Sequence, residues 1–264
     1  MLMDDLNNQP LRLKSALKVW ERNLRTYREK WYYSLLPNFF EPVFYLLGIG
    51  IGLGAYVAAG GDFEQGYVVF IAPGLVAASA MNGAAFETTY NVYVKLVFRQ
   101  IYDAMIATRI SMRDVILGEL LWAMTRSFVY GFIFLLVTFF FGVPLIPEML
   151  LAPFAILLTG FCFAAIGLMF TSFIHTIDFY TYYFTLFITP LFLFSDIFFP
   201  VADRFPQFLV WIAQATPLYH GVQLLRGCSE GDLTAWLISA PYLLILGSVL
   251  AWMAINRMHK RVVY

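Results

Sequence analysis

Five ionisable residues lie inside or beside long apolar stretches of the sequence, where charged side chains are uncommon. They are Glu41, Glu87, Glu119, Arg126 and Asp178. Charged groups are costly in hydrocarbon, so they usually face the interior of a helix bundle or a water-filled cavity. They could line or gate a pathway, or they could tie helices together as buried polar contacts. The sequence leaves both interpretations open.

Glu119 and Arg126 lie on one face of the same predicted helix, because they are seven residues apart. Two helical turns separate them by roughly 10 Å along the axis, which is too far for a direct ion pair. Each is therefore expected to find its partner on a neighbouring helix, and Glu87 is a candidate partner for Arg126.

The sequence contains no motif for catalysis or for binding a cofactor. GxxxxGK[ST], HExxH, GxSxG and CxxC are all absent, and the three histidines are scattered at 175, 220 and 259. The chain therefore has no Walker A loop of its own, and metal or triad chemistry has no support. Cys162 and Cys228 are expected to be packing residues that do not pair with each other. We predict no enzyme activity, no cofactor and no metal site on this chain.

The composition indicates an all-α membrane protein that crosses the bilayer several times. Hydrophobic residues make up 61% of the chain and charged residues 13%, with a mean hydropathy of +0.72. A span needs roughly 20 mostly apolar residues. On that basis we predict one transmembrane domain over 1–264 with six spans, at 33–58, 67–90, 115–141, 150–173, 179–196 and 235–256.

Basic residues set the predicted orientation of these spans. Seven of them precede the first span, more follow in the connection between the second and third spans, and three lie near the C-terminus. By the positive-inside rule, both termini and this connection are cytoplasmic. The net charge is zero, and no nucleic-acid partner is predicted. We expect a multi-pass protein of a bacterial inner membrane.

Residues 10–30 predict an amphipathic helix ahead of the first span. Apolar side chains recur at helical spacing on one face, and basic side chains fill the other. The apolar positions are Leu13, Leu17, Trp20, Leu24 and Tyr27. Such a helix is typical of one that lies on the cytoplasmic leaflet with its basic face toward anionic lipid headgroups. A plain positive-inside anchor would have the same pattern.

A second short helix is predicted in the cytoplasmic connection at 95–111. Ser111 lies three residues before Asp114, a spacing typical of a capping box that begins the third span. The helix before it could dock to a cytoplasmic partner, or it could be an ordinary amphipathic loop on the membrane. The residues assigned to its apolar face are Phe98, Ile101, Tyr102, Met105 and Ile106, and the helix is expected to end near Thr108.

The segment 189–227 is nearly as apolar as a span but cannot be one straight helix. Pro190, Pro200, Pro206 and Pro217 interrupt it, and Asp196 adds a charge at its first break. Irregular backbone at membrane depth needs protein or water to satisfy its hydrogen bonds. We predict that the span ends near residue 195 and that short re-entrant helices occupy the external region 196–232.

Aromatic residues are unusually dense in the fifth predicted span. The chain has 27 Phe and 16 Tyr, and the run FYTYYFTLF occupies 179–187. Aromatic faces can stack on sugar rings and acyl chains, so the pattern suits an amphiphilic or glycolipid cargo. Contact with membrane lipids explains the same residues.

These features together resemble the ABC-2 class of ABC-exporter permeases. The order of basic helix, six spans, short cytoplasmic helix and Pro-punctuated external segment is shared, and FSDIFFPVADRFPQFL…ATPLYHGVQLLRG is similar to the family pattern. Within the class, LLGIGIGLG, FIAPGLVAASAMNGAAFETTY and YDAMIATRIS resemble the permeases of the nodulation-factor (lipo-chitin-oligosaccharide) exporters. The resemblance runs over nearly the whole chain.

The resemblance implies a functional unit of two permease subunits and two separate ATP-binding subunits, which carry the ATP and Mg²⁺. It implies that the helix around Tyr102 is the coupling contact to those subunits. The external gate would then include Pro200, Pro206 and Pro217, with Arg226 at the end of the motif. Asp196 departs from the pattern, since many members have Gly at this position.

Two other classes of function stay open on the residues alone. A secondary transporter or channel would need no ATPase, but it predicts internal repeats and half-helices at the midplane, and neither is visible. A membrane-embedded lipid-modifying enzyme would need a cluster of catalytic groups. An ATP-driven exporter fits the pattern best.

Overall fold

A computed structural model describes residues 11–29, 31–54, 66–108, 110–174 and 176–263, and these residues form helices and turns without any strand. The longer helices in chain order are α1 (Leu13–Glu29), α2 (Trp31–Tyr45), α3 (Tyr67–Phe86), α4 (Ile101–Ile106), α5 (Met112–Phe140) and α6 (Ala152–Phe173). The rest are α7 (Phe179–Phe194), α8 (Val201–Arg204), α9 (Gln207–Gln214), α10 (Pro217–Glu230) and α11 (Trp236–Val263). Short 3-10 turns at Pro147–Leu151 and Leu233–Ala235 precede α6 and α11.

Several of these helices contain wider π-helical turns. One continues α2 at Leu46–Leu53, two extend α3 at Glu87–Asn91 and Val94–Phe98, and one forms the middle of α7 at Tyr183–Ile188. A π turn shifts the face that the following residues present, and it often occurs at functional sites. The helix that begins at Tyr67 therefore runs on to Phe98, beyond the predicted end of its span at 90.

Four helices of the described residues are long and apolar enough to cross a membrane. They are Tyr67–Phe98, Met112–Phe140, Pro147–Phe173 and Leu233–Met258, and they match the second, third, fourth and sixth predicted spans. The first and fifth predicted spans contain shorter apolar helices, Phe40–Gly52 and Phe179–Phe194. The predicted end of the first span, at 55–58, lies outside the described residues. The count of six spans stays a prediction.

The core is a close contact between α3, α5 and α6. A Cβ atom built on Gly160 would lie 2.5 Å from the Cβ of Ser127, and the Ser127 hydroxyl donates to the carbonyl oxygen of Ala80 at 2.8 Å. One turn further along α5, a Cβ on Gly131 would meet Ile156 at 2.7 Å. Small residues thus bring three helices within backbone contact, which is how helices associate tightly in membranes.

Helix α1 packs along the first half of α5. Gly118 makes room for it, since a Cβ there would lie 2.6 Å from that of Val19. The Trp20 indole donates to the Thr125 hydroxyl at 2.9 Å. Leu13 and Leu17, from the predicted apolar face, stay exposed at 60% and 46%. Residues Leu13–Glu29 are helical, and the interfacial position of this helix stays a prediction.

The beginning of α5 has the predicted capping box. The Ser111 hydroxyl accepts from the Asp114 amide at 3.2 Å, and the Asp114 carboxylate accepts from the Ser111 amide at 3.3 Å. Asp114 also accepts from the backbone amide of Arg12 at 2.7 Å. One carboxylate thus fixes the starts of α1 and α5 together.

Candidate functional site

A cluster of four charges, three of them buried and the fourth, Lys95, half-buried, joins the end of α3 to the middle of α5. The Lys95 ammonium lies 2.7 Å from the Glu119 carboxylate and 3.4 Å from that of Glu87. The Arg126 guanidinium lies 3.5 Å from Glu87 on its other side. The predicted partnership of Glu87 with Arg126 is confirmed. Two cations and two carboxylates alternate here, so each charge has an opposite neighbour.

Sequence reasoning missed Lys95, which was counted only among the cytoplasmic basic residues. The spacing contained a signal, because positions 87, 91 and 95 repeat every four residues along one helix. Asn91 occupies the intermediate position and donates to Glu87 at 3.0 Å. The π turn at Glu87–Asn91 aims this polar face at α5.

Arg126 is also enclosed by aromatic rings. Its guanidinium lies 4.5 Å from the ring centre of Tyr27 on α1 and 4.7 Å from that of Tyr130, whose hydroxyl accepts from it at 2.5 Å. Cation–π contacts stabilise a cation that is away from water. The buried charges therefore connect α1 as well as α3 and α5.

The structure does not place Asp178 with this group. Asp178 is exposed at the N-terminal end of α7, and its side chain makes no capping hydrogen bond there. Its position in the membrane stays a prediction, since Asp178 directly precedes Phe179, the first residue of α7.

Helix α4 contacts the buried charges through Tyr102. This side chain is completely buried, and its hydroxyl lies beside the Glu119 carboxylate. Burial and the negative charge of Glu119 raise the pKa of Tyr102 well above its usual range, so the phenol stays protonated. Ile101, Met105 and Ile106 are half-buried against the core.

This burial corrects the assignment of Tyr102 to an outward docking face. Exposed apolar residues next to α4 in the sequence are Val97 (41%) and Phe98 (63%), in the last π-helical turn before α4. Gln100 joins that turn to α4 in a left-handed conformation, with φ at 46°. Tyr102 thus anchors α4 to the protein interior, and Phe98 is the exposed apolar side chain available to a partner.

At the opposite end of α3, Asp196 and Arg226 form a buried ion pair. Asp196 follows the end of α7 and has a left-handed backbone, with φ at 66°. Its carboxylate contacts the Arg226 guanidinium, accepts from Gln223 at 3.0 Å and accepts from the Val201 amide at 2.8 Å. The pair therefore ties the end of α7 to α8 and α10.

The next side chain, Ile197, fills a recess in α3. A Cβ on Gly74 would lie 3.0 Å from the Ile197 backbone, and the Tyr67 hydroxyl donates to the carbonyl of Phe198 at 3.0 Å. The Arg226 guanidinium lies 4.3 Å from the ring centre of Phe70. The break after α7 is therefore ordered by contacts on both sides.

Three prolines begin the short helices of the predicted external region. Pro200 precedes α8, Pro206 precedes α9, and Pro217 is the first residue of α10, capped by the Thr216 hydroxyl. The fixed φ of proline suits Pro217 at the first helical position, whereas Pro200 and Pro206 lie one residue before their helices with ψ of 111° and 146°. The predicted short helices are present. Helix α9 exposes Phe208, Trp211 and Ile212, an apolar face suited to lipid.

A cavity of about 230 Å³ lies between α2, α3, α5 and α7. Aromatic side chains make much of its wall, with the rings of Phe86 and Phe184 stacked 4.5 Å apart. Glu41 on α2 and Asn82 on α3 supply polar groups. A mostly apolar cavity with a few polar groups is the usual form of a small-molecule site.

Comparison with known proteins places these features in a family. Residues 16–228 match the ABC-2 type transporter family. The chain is 34% identical to nodulation protein J of Sinorhizobium fredii over 210 residues, which cover 80% of this chain and 79% of that protein. It is 35% identical to nodulation protein J of Rhizobium leguminosarum bv. viciae over 216 residues, 82% of each chain. No solved structure matches it. The chain belongs to the ABC-2 type transporter family, whose members are the membrane-spanning permeases of transport systems.

Proposed function

We propose that this chain is the permease subunit of an ATP-driven exporter. It moves a lipid-linked or amphiphilic oligosaccharide, or another small amphiphile, out of the cytoplasm or the inner leaflet of a bacterial inner membrane. Two copies of the chain assemble with two ATP-binding subunits, which hold the ATP and Mg²⁺. Both termini are cytoplasmic.

The observation that supports this proposal best is that exposed Phe98 is only four residues from Tyr102, which contacts the buried charge cluster. Phe98 is exposed, and the proposed orientation makes its side cytoplasmic. Tyr102 follows four residues later with its side chain beside Glu119. A subunit that binds at Phe98 would push on α4, and α4 would pass the displacement to Glu119 and Lys95. Rigid side-chain contacts of this kind can couple two distant sites.

The external region would serve as the exit gate. Asp196 and Arg226 fix the point where α7 ends, and the helices begun by Pro200, Pro206 and Pro217 follow it. These helices lie at the end of α3 opposite to Phe98. Movement of α7 against α3 would therefore act on this gate.

Co-expression with candidate ATP-binding subunits tests the proposal. The wild-type chain is expected to co-purify with one of them and to support its ATP hydrolysis. Phe98→Asp is expected to abolish co-purification, because a charge would replace the exposed apolar contact. Leu145→Asp is the matched control, since Leu145 is 79% exposed on the opposite side.

Two results would contradict the proposal. If no ATP-binding subunit co-purifies with the wild-type chain, an ATP-independent transporter becomes the better explanation. If Phe98→Asp and Leu145→Asp both bind the subunit normally, the docking surface lies elsewhere.

A further inference from the structure

Among the residues that the structure describes, none forms an ion pair with the carboxylate of Glu41. It lies ten residues after the start of α2 at Trp31, about 15 Å along the helix. It is exposed, and among the residues that the structure describes it has neither an ion pair nor a hydrogen bond. A carboxylate at this depth normally faces a cavity or a bundle interior. Here it faces the cavity between α2, α3 and α7.

Two more polar side chains of this cavity lack a partner within the described part of the chain. Ser79 and Asn82 lie on the cavity side of α3, both half-buried and without a side-chain hydrogen bond. Half-buried polar groups in an apolar wall are normally satisfied by protein, water or ligand. One carboxylate, one hydroxyl and one amide thus converge on the same space with their hydrogen-bonding capacity unused.

The rest of the wall is flat and apolar. Phe86 and Phe184 stack at 4.5 Å with their planes 25° apart, and Phe86 is 48% exposed. The cavity volume of about 230 Å³ is below the roughly 300–1,000 Å³ of sites for drug-sized ligands. It suits a single ring better than a long chain.

We propose that this cavity binds one uncharged sugar ring of an amphiphilic cargo and that Glu41 determines the specificity for that ring. The inference rests on the proposed function and assigns the contact between the permease and its cargo to this cavity. Glu41 accepts hydrogen bonds from ring hydroxyls, Asn82 and Ser79 complete the polar contacts, and Phe86 and Phe184 cover the apolar face of the ring. A site built to hydrogen-bond a hydroxyl rejects a ligand that lacks it, because its own polar groups are then left unpaired.

Binding to the purified protein in lipid nanodiscs tests this assignment. Three fluorescent probes share one alkyl chain and end in a glucoside, a hydroxyl or a trimethylammonium group. The wild-type chain is expected to prefer the glucoside. Glu41→Ala should weaken glucoside binding by about tenfold or more, the loss expected for a hydrogen bond to a charged group. Glu41→Gln keeps an acceptor and should stay within about threefold of wild type.

Several outcomes would overturn the proposal. Wild-type preference for the trimethylammonium probe, with equal losses in Glu41→Gln and Glu41→Ala, would mean that the site binds a cation. Unchanged glucoside binding in Glu41→Ala would remove Glu41 from recognition. Glu230→Ala, at an exposed carboxylate outside the cavity, is the control. Co-purification of the ATP-binding subunit is measured on the same variants, so that failure of the cargo site is distinguished from failure of the exporter assignment.

Discussion

Arg226 holds Asp196 at two points, because its guanidinium contacts the carboxylate and also donates to the backbone carbonyl oxygen of the same residue at 2.6 Å. The second contact fixes the backbone as well as the side chain. This explains how a non-glycine residue is kept in a left-handed conformation, where Asp is tolerated better than most residues.

Asp196→Asn is expected to lower the free energy of unfolding by about 3–5 kcal/mol, because it leaves the buried Arg226 guanidinium without an opposite charge. Asn accepts the left-handed conformation as readily as Asp, so the change tests the charge alone. Thermal unfolding in detergent measures the effect. The double variant Asp196→Asn/Arg226→Gln should recover part of the loss. Additive losses would mean that the two residues are not coupled.

Lys95→Met is expected to destabilise the protein by about 3–5 kcal/mol, because Glu119 then remains buried without its closest cation. Arg25→Met is the matched control. Arg25 and Glu21 form an ion pair at 2.6 Å with exposed side chains, which contributes about 1 kcal/mol or less. Equal losses for the two variants, measured by thermal unfolding, would argue against the buried cluster as a stabilising element.

Gly160→Ala is expected to cost about 1–3 kcal/mol, because the added methyl group would overlap with Ser127. Gly48→Ala is its control, since a Cβ on Gly48 would have no neighbour within 4 Å. The melting temperature should fall for the first variant and stay constant or rise for the second. The reverse order would contradict the close contact of α5 with α6.

The proposed orientation predicts which side of the membrane a new cysteine faces. Cys162 and Cys228 are both buried, so they should react slowly with a membrane-impermeant maleimide. Phe98→Cys should be labelled only after the cytoplasmic side is exposed, and Leu145→Cys should be labelled in intact cells stripped of their outer membrane. Labelling of both from one side would show that the assigned topology is wrong.

Local patterns were enough to predict some of these features. The spacing of Ser111 and Asp114 predicted the capping box, and the prolines predicted that short helices follow the end of the span near residue 195. Such signals depend on residues close together in sequence, where helix geometry fixes the distances. The partner of Arg126 could be predicted because few buried charges were available to choose from.

Other features needed the folded chain. A six-residue helix does not reveal which of its faces meets the protein, so Tyr102 was assigned outward although it is fully buried. Arg226 lies 30 residues after Asp196, and no periodicity connects them. The ion pairs of Lys95 were not predicted, because a basic residue at this position is already explained by the positive-inside rule. Contacts between residues far apart in the sequence are therefore the part of the structure that the sequence did not predict.

The contact at Gly160 also restricts how the protein can change shape. Ser127 fills the notch at Gly160 and is bonded to the backbone of α3, so neither α5 nor α6 can slide past its neighbour without a collision. These three helices behave as a fixed frame. In the proposed transport cycle the moving parts are then α2 and α7, which lie outside this frame and contain or lead into π-helical turns at Leu46–Leu53 and Tyr183–Ile188. Cargo would then pass between the fixed helices α3, α5 and α6 on one side and the movable helices α2 and α7 on the other.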